Sequence, residues 1–186
     1  MRRLSALRKT ILDITKDLEE MRGQTLGPKS IVPALIFEPG FRCLVFWRFQ
    51  IWVVGVGMYK CAQLISNLNF ILSGAEICVG ASIESPAIIR HPSGIVIGSG
   101  VSIGQKCIIL QGVTIGLSSV QNSSSPDYPI LGDRVVVGAN SSILGKVKIA
   151  DGTTVASHTL ILSDTKIDTT YIGVPGQPLI NKKEKF

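Results

Sequence analysis

The sequence predicts a mainly β protein: a left-handed parallel β-helix of about five coils behind an N-terminal α-helical segment. Three observations carry that expectation. From Ile77 onward, aliphatic residues recur every six positions. Nineteen glycines and an aromatic content of only 6% suit thin aliphatic layers joined by tight corners. Before residue 76 the apolar spacing is helical instead. The expected division is 1–75 helical, 76–175 β-helix with a loop at 117–130, and 176–186 a tail.

The helical segment opens with Leu4, Leu7, Ile11, Ile14, Leu18 and Met21, spaced 3, 4, 3, 4, 3 with charged residues between them. That stripe predicts one amphipathic helix ending near Arg22-Gly23, packed on its own domain or joining two copies of the chain. Residues 24–40 hold Gly27-Pro28, Pro33 and Pro39-Gly40 and read as a loop with one short helical turn. Phe41 to Val56 is apolar nearly all round, and most of the aromatics lie between Phe37 and Tyr59. Its longest uncharged run, Phe49–Tyr59, is 11 residues. A bilayer span needs about 20. The stretch is therefore a buried helix or a peripheral membrane contact. A further helix is expected from about Lys60 to Leu72, stopped at Gly74.

The repeat places Ile77, Ile83 and Ile89 in one frame, then slips by two residues across Arg90–Gly94. It resumes at Ile97, Ile103, Ile109 and Ile115, and again at Leu131, Val137, Ile143, Ile149, Val155, Ile161 and Ile167. A small or β-branched residue lies four positions after most of these, as at Ala81, Val101, Cys107, Ser141 and Thr153. Three six-residue segments close a triangular coil. Stacked coils pair their backbones and align the aliphatic side chains in interior ladders. Two interruptions, the slip at 90–94 and the excursion from Leu117 to Ile130, add nothing to stacking and are where function is expected.

Composition excludes several classes. Apolar residues at 45% and charged residues at 17% exclude disorder. Cys43, Cys61, Cys78 and Cys107 are never closer than 17 residues, so no zinc-ribbon spacing exists. His91 and His158 are the two histidines, too few for a three-histidine zinc site, and no metal is expected. No apolar run follows Met1-Arg2-Arg3, so a reduced cytoplasmic setting is expected. Residues 1–60 carry ten Lys/Arg against five Asp/Glu, and residues 61–186 nine against eight. The basic excess of the first third suits an acidic partner or the inner face of a membrane, whereas no basic patch with interleaved aromatics suggests nucleic acid.

Residues 28–180 resemble the serine acetyltransferase branch of the hexapeptide-repeat acyltransferases. The match runs through Pro39-Gly40-Phe41, Trp47-Arg48, Gly74-Ala75-Glu76-Ile77, His91-Pro92-Ser93-Gly94-Ile95-Val96, Gln111-Gly112-Val113-Thr114, Val137-Gly138-Ala139, Ile143-Leu144-Gly145 and Gly173-Val174-Pro175. The resemblance implies acetyl transfer from acetyl-CoA to a hydroxyl, with His91 as general base and Glu76, fifteen positions earlier, orienting it. It implies acetyl-CoA contacts at Gly116, Ala139, Ser157, Gly173 and Gln177, where Gln177 stands for the family's arginine and Lys182, Lys183 and Lys185 offer replacement charge. It implies a homotrimer or dimer of trimers, with His91 facing the long loop of the next subunit. His158 matches no catalytic position and is expected at an exposed corner.

The acceptor side departs from the family. Arg90 replaces the acidic residue before the histidine, and Asp127-Tyr128 replaces Arg-His in the loop. These three residues are expected to bind the acceptor. Their charges disfavour serine and favour a glycan hydroxyl, as in surface-polysaccharide synthesis, with Tyr128 stacked on a sugar ring. Serine O-acetylation in cysteine biosynthesis is the alternative, and a non-catalytic β-helix scaffold the alternative of another class.

Overall fold

A computed structural model describes residues 2–118 and 127–179. Its helical part comprises α1 (Arg2–Arg22), a 3₁₀ turn (Pro28–Ser30), α2 (Ile31–Phe37), α3 (Pro39–Gly55) and α4 (Tyr59–Ser73). Helix α4 stops where expected, because Gly74 takes φ +69°, a left-handed conformation that glycine adopts without a Cβ clash. Helix α2 is more than the single turn expected. Pro33 lies in its first turn, where a missing N–H costs no helical hydrogen bond.

The Leu4–Met21 stripe divides. Ile14 and Leu18 are buried with Ala34 and Phe41, and Met21 packs against them, whereas Leu4 and Ile11 are exposed. The C-terminal half of α1 is thus core of this chain. Helix α3 is buried on several sides, at Phe41, Cys43, Leu44, Trp47, Arg48, Gln50 and Val53. No helix among the described residues is long and apolar enough to cross a membrane.

Asp17 and Arg48 tie the helices to the first coil. Arg48 forms a buried ion pair with Asp17 through Nε, and its Nη2 donates to Asp17 Oδ1 at 2.9 Å. The Ala87 N–H donates to the same oxygen at 2.9 Å, and Arg48 Nη1 donates to the Ile83 carbonyl at 3.2 Å. Burial pushes the Asp17 carboxyl above the usual carboxylate range, against the opposing pull of Arg48 and the Ala87 amide.

The solenoid has four complete coils and a partial fifth. The first coil is β1 (Glu76–Ile77), β2 (Ser82–Ile83) and β3 (Ala87–Ile89); the second is β4 (Val96–Ile97), β5 (Ser102–Ile103) and β6 (Cys107–Ile109). The third is β7 (Thr114–Gly116), β8 (Ile130–Leu131) and β9 (Val136–Val137); the fourth is β10 (Ser142–Leu144), β11 (Lys148–Ile149) and β12 (Thr154–Val155). The fifth has β13 (Leu160–Ile161) and β14 (Thr170–Ile172), followed by β15 (Gln177–Pro178). Face one is β1-β4-β7-β10-β13, face two β2-β5-β8-β11, and face three β3-β6-β9-β12-β14, with β15 antiparallel at its end.

The ladders follow the six-residue frame. Ile77, Ile97, Ile115, Ile143 and Ile161 stack in register on face one. Ile83, Ile103, Leu131 and Ile149 stack on face two. Face three stacks Ile89, Ile109, Val137, Val155 and then Tyr171. Ile167 breaks the expectation. The fifth coil has no strand on face two, so Ile167 is 66% exposed and Tyr171 closes the core at 5%. At the slip, Ile95 fills the interior corner position at 0% exposure, and Ser93 stays outside.

Candidate active site

The corner from face three to face one recurs at residues 90–95, 110–113, 138–141 and 156–159. The backbone repeats itself there. The N–H groups of Arg90, Leu110, Gly138 and Ala156 donate to Ile109, Val137, Val155 and Tyr171 of the next coil. The residue after each, His91, Gln111, Ala139 and Ser157, therefore occupies an equivalent place. Among the described residues, none of these four N–H groups has a hydrogen-bond partner. A row of four donors without a protein partner thus runs along one edge, spaced about 4.8 Å per coil. Such accessible N–H groups donate to water or to the carbonyls of a bound ligand. Their presence fits acetyl-CoA, whose pantetheine arm carries amide carbonyls at intervals. His158 lies on the same edge, exposed as expected, with φ +59°.

His91 begins the row. It is exposed, has φ +53°, and follows β3 where the frame slips. Two contacts seat its corner. The Gly94 N–H donates to the Gly74 carbonyl at 2.8 Å. Gly40, second residue of α3, lies so close that a Cβ there would stand 1.9 Å from the Ile89 carbonyl oxygen. Glycine at 40 is thus what lets the start of α3 press on the backbone that holds Arg90 and His91. The cleft so formed is about 370 Å³ and is lined by Met21, Arg22, Phe37, Glu38, Pro39, Gly40, Ile89, Arg90 and His91.

The other expected site residues are distributed in three places. Glu76 is exposed on β1 and lines a separate cleft with Gln63, Asn67 and Phe70 of α4, with no hydrogen bond to His91. Gly116 ends β7 at the corner from face one to face two, with open space where a side chain would stand. Asp127 and Tyr128 share that corner, and Asp127 pairs with Lys146 at 3.4 Å. Tyr128, expected to stack on a sugar, has one face of its ring packed on the solenoid and lines a cleft with Asp127 and Lys146. Its ring lies over Gly98 and Gly100, where added Cβ atoms would meet it at 2.9 and 2.1 Å, and its hydroxyl is 3.0 Å from Ser99 Oγ. Within one chain, then, Asp127, Tyr128 and Gly116 occupy a different edge from His91, Ala139 and Ser157. Gly173 follows β14 with φ +95°, and Gln177 pairs with Ile172. Lys182, Lys183 and Lys185, and residues 119–126 of the loop, lie outside the described residues.

Glu38 and Arg22 were not singled out from the sequence. Glu38 is the N-cap of α3, and Arg22 ends α1. Arg22 Nε donates to Glu38 Oε1 at 2.9 Å, and the two are also ion-paired. Glu38 precedes the Pro39-Gly40 pair that the resemblance picked out, and that adjacency was the available signal.

Comparison with known proteins agrees with this architecture. The model of the bacterial transferase hexapeptide (six repeats) matches residues 128–163. A serine acetyltransferase from Synechococcus elongatus is 35% identical over 77% of this chain, which spans 58% of that protein. One from Helicobacter pylori is 30% identical, covering 88% of this chain and 94% of that one. The crystal structure of a Neisseria gonorrhoeae serine acetyltransferase in complex with serine superposes with a TM-score of 0.81 at 25% identity, covering 95% of this chain and 72% of that one. With its hexad ladders and near full-length likeness to the Helicobacter enzyme, the chain belongs to the serine acetyltransferase family of hexapeptide-repeat transferases.

Proposed function

We propose that this protein transfers the acetyl group of acetyl-CoA to the hydroxyl of L-serine, with His91 as general base. One observation carries the reading: His91 heads a row of unpartnered backbone donors that extends over three further coils. The three coil spacings between His91 and Ser157 amount to about 14 Å, a length suited to an extended pantetheine arm lying over Gln111, Ala139 and Ser157. In the reaction the serine oxygen attacks the thioester carbonyl and the carbon–sulfur bond breaks. The hydroxyl proton passes to His91 and leaves with the CoA thiolate. Neutral imidazole suits that transfer near pH 7. Glu76 keeps the role of orienting carboxylate in this proposal, since catalytic hydrogen bonds often close only when substrate is bound.

The sugar acceptor expected from the loop charges is set aside. Tyr128 is engaged by the solenoid, and the relatives are named for serine. A trimer completes the reading. Gly116, Asp127 and Tyr128 lie on one edge and His91 on another, so a site that uses both edges takes them from two chains. Light scattering tests this, and a monomer at micromolar concentration would refute it. The compartment implied is the cytoplasm, which supplies acetyl-CoA.

The deciding experiment is thiol release from acetyl-CoA, with L-serine set against nucleotide sugars and oligosaccharides. Saturable turnover on L-serine alone is expected. Turnover on the sugars without turnover on serine would overturn the reading.

A further inference from the structure

The cleft at His91 is lined by charges of both signs. Two guanidiniums, Arg22 and Arg90, and one carboxylate, Glu38, line it beside the imidazole; Met21, Phe37, Pro39 and Ile89 supply apolar wall. The cations are not equivalent. Arg22 is held by Glu38. The Arg90 guanidinium has no hydrogen-bond or ion-pair partner among the described residues, its backbone N–H alone being held by Ile109. The cleft therefore presents one unmatched positive charge and one carboxylate whose partner sits on a different helix.

We infer that Arg90 and Glu38 are the two poles that select a zwitterionic hydroxy amino acid in this cleft. Arg90 takes the acceptor's carboxylate, and Glu38 takes its ammonium in exchange for Arg22. This rests on the acetyl-transfer reading above and assigns its acceptor pocket. The physical case is one of matching. A neutral acceptor would leave Arg90 beside the base without a counter-charge. A simple hydroxy acid would satisfy Arg90 but gain nothing from Glu38. An amino acid satisfies both, and its hydroxymethyl group, which branches from the carbon that carries both charges, is left for His91, which lines the same cleft. The Arg22–Glu38 contact is a partly exposed pair, 31% and 27% accessible, whose solvent-screened attraction another cation can replace. Arg90 thus disfavours serine only when considered alone, and Glu38, remote in sequence, reverses that charge argument.

Serine can be tested in halves. 3-Hydroxypropionate keeps the carboxylate and hydroxyl, and ethanolamine keeps the ammonium and hydroxyl. Both are assayed as competitive inhibitors against L-serine in the full-length protein, beside KM and kcat for serine. For Glu38→Gln the expected result is a KM for serine raised roughly tenfold or more, the scale of a lost hydrogen bond to a charged group. Ethanolamine inhibition should weaken equally, with 3-hydroxypropionate inhibition and kcat little changed. Arg90→Gln should do the reverse to the two inhibitors. Glu38→Asp should restore much of the serine KM, which separates charge recognition from a structural role, and thermal melts check that each variant is folded. If wild-type protein acetylates serine but Glu38→Gln leaves its KM unchanged, or weakens both inhibitors alike, this assignment is wrong and the function stands. Failure of both inhibitors to compete in the wild type also overturns it. If wild-type protein does not acetylate serine, the function itself fails and this inference with it.

Discussion

Replacing Gly40 with alanine tests whether the start of α3 positions the proposed base. The added Cβ would lie 1.9 Å from the Ile89 carbonyl oxygen and 2.8 Å from its carbon, where real Cβ atoms keep at least 3.0 Å. About 1.1 Å of separation must therefore open between α3 and the backbone leading to Arg90 and His91. Neither side yields easily. Helix α3 is anchored by Phe41, Leu44, Trp47 and Arg48, and Arg90 is tied to Ile109 by a 2.8 Å hydrogen bond. Overpacking of this kind costs about 1–3 kcal/mol of stability. The larger effect is expected on the reaction, because a misplacement of about 1 Å can cost about 10²-fold in rate. Urea denaturation reads the first, and kcat/KM for L-serine at saturating acetyl-CoA reads the second. KM for acetyl-CoA should hardly move, since the donors of Ala139 and Ser157 lie coils away. Gly27→Ala is the control, with open space at its Cβ. Wild-type kcat/KM and stability in Gly40→Ala would show that this contact positions nothing.

Three further predictions follow from the same geometry. His91→Ala should lower kcat by roughly 10²–10⁴ with an unchanged melting temperature, because the side chain is outside the ladders; a near wild-type rate would remove it from the role. Arg48→Met should cost about 3–5 kcal/mol by leaving Asp17 charged and buried; combining it with Asp17→Leu should recover part of that loss, and urea curves showing simple additivity would contradict the ion-pair argument. The third concerns pH. Burial pushes the Cys107 thiol up from 9.0 to about 11, with its Sγ donating to the Gly132 carbonyl at 3.2 Å. A raised thiol pKa leaves stability intact below about pH 9 and withdraws it as the pH climbs toward 11. The stability difference between wild type and Cys107→Ala should therefore shrink by about 2–3 kcal/mol from pH 8 to 11, and a constant difference would refute the shift.

The ladders were legible because a six-residue repeat allows one register of stacking, and a shift by one residue would turn Ile97 or Ile143 outward. The repeat was less informative where it ends. Ile167 keeps the spacing but has no strand of face two to belong to, so the periodicity overran the structure, and Tyr171 was missed as the residue closing the core. Proline signals understated α2, since Pro33 falls where a helix tolerates it. Within the candidate site, His91 was legible from its motif and from the frame slip. Its cleft was not, because Met21, Arg22, Glu38 and Arg90 converge from three separate segments with no periodic relation. Glu76 and His91 are fifteen residues apart and one coil is too coarse a ruler to say which cleft each enters.

The antiparallel return of β15 onto β14 has a consequence beyond this fold's interior. A parallel coil ends in a row of unpaired backbone groups, a ready template for the next copy of itself, so an unguarded solenoid is prone to polymerise into fibres. At one end α1 and α3 cover the first coil through Asp17 and Arg48. At the other the chain doubles back, and the Leu179 N–H donates to the Thr170 carbonyl. Reversing strand direction there offers an arriving coil the wrong polarity for continuation. The protein thereby keeps the regularity that aligns free N–H groups along one edge, and on face three denies that regularity a growing tip.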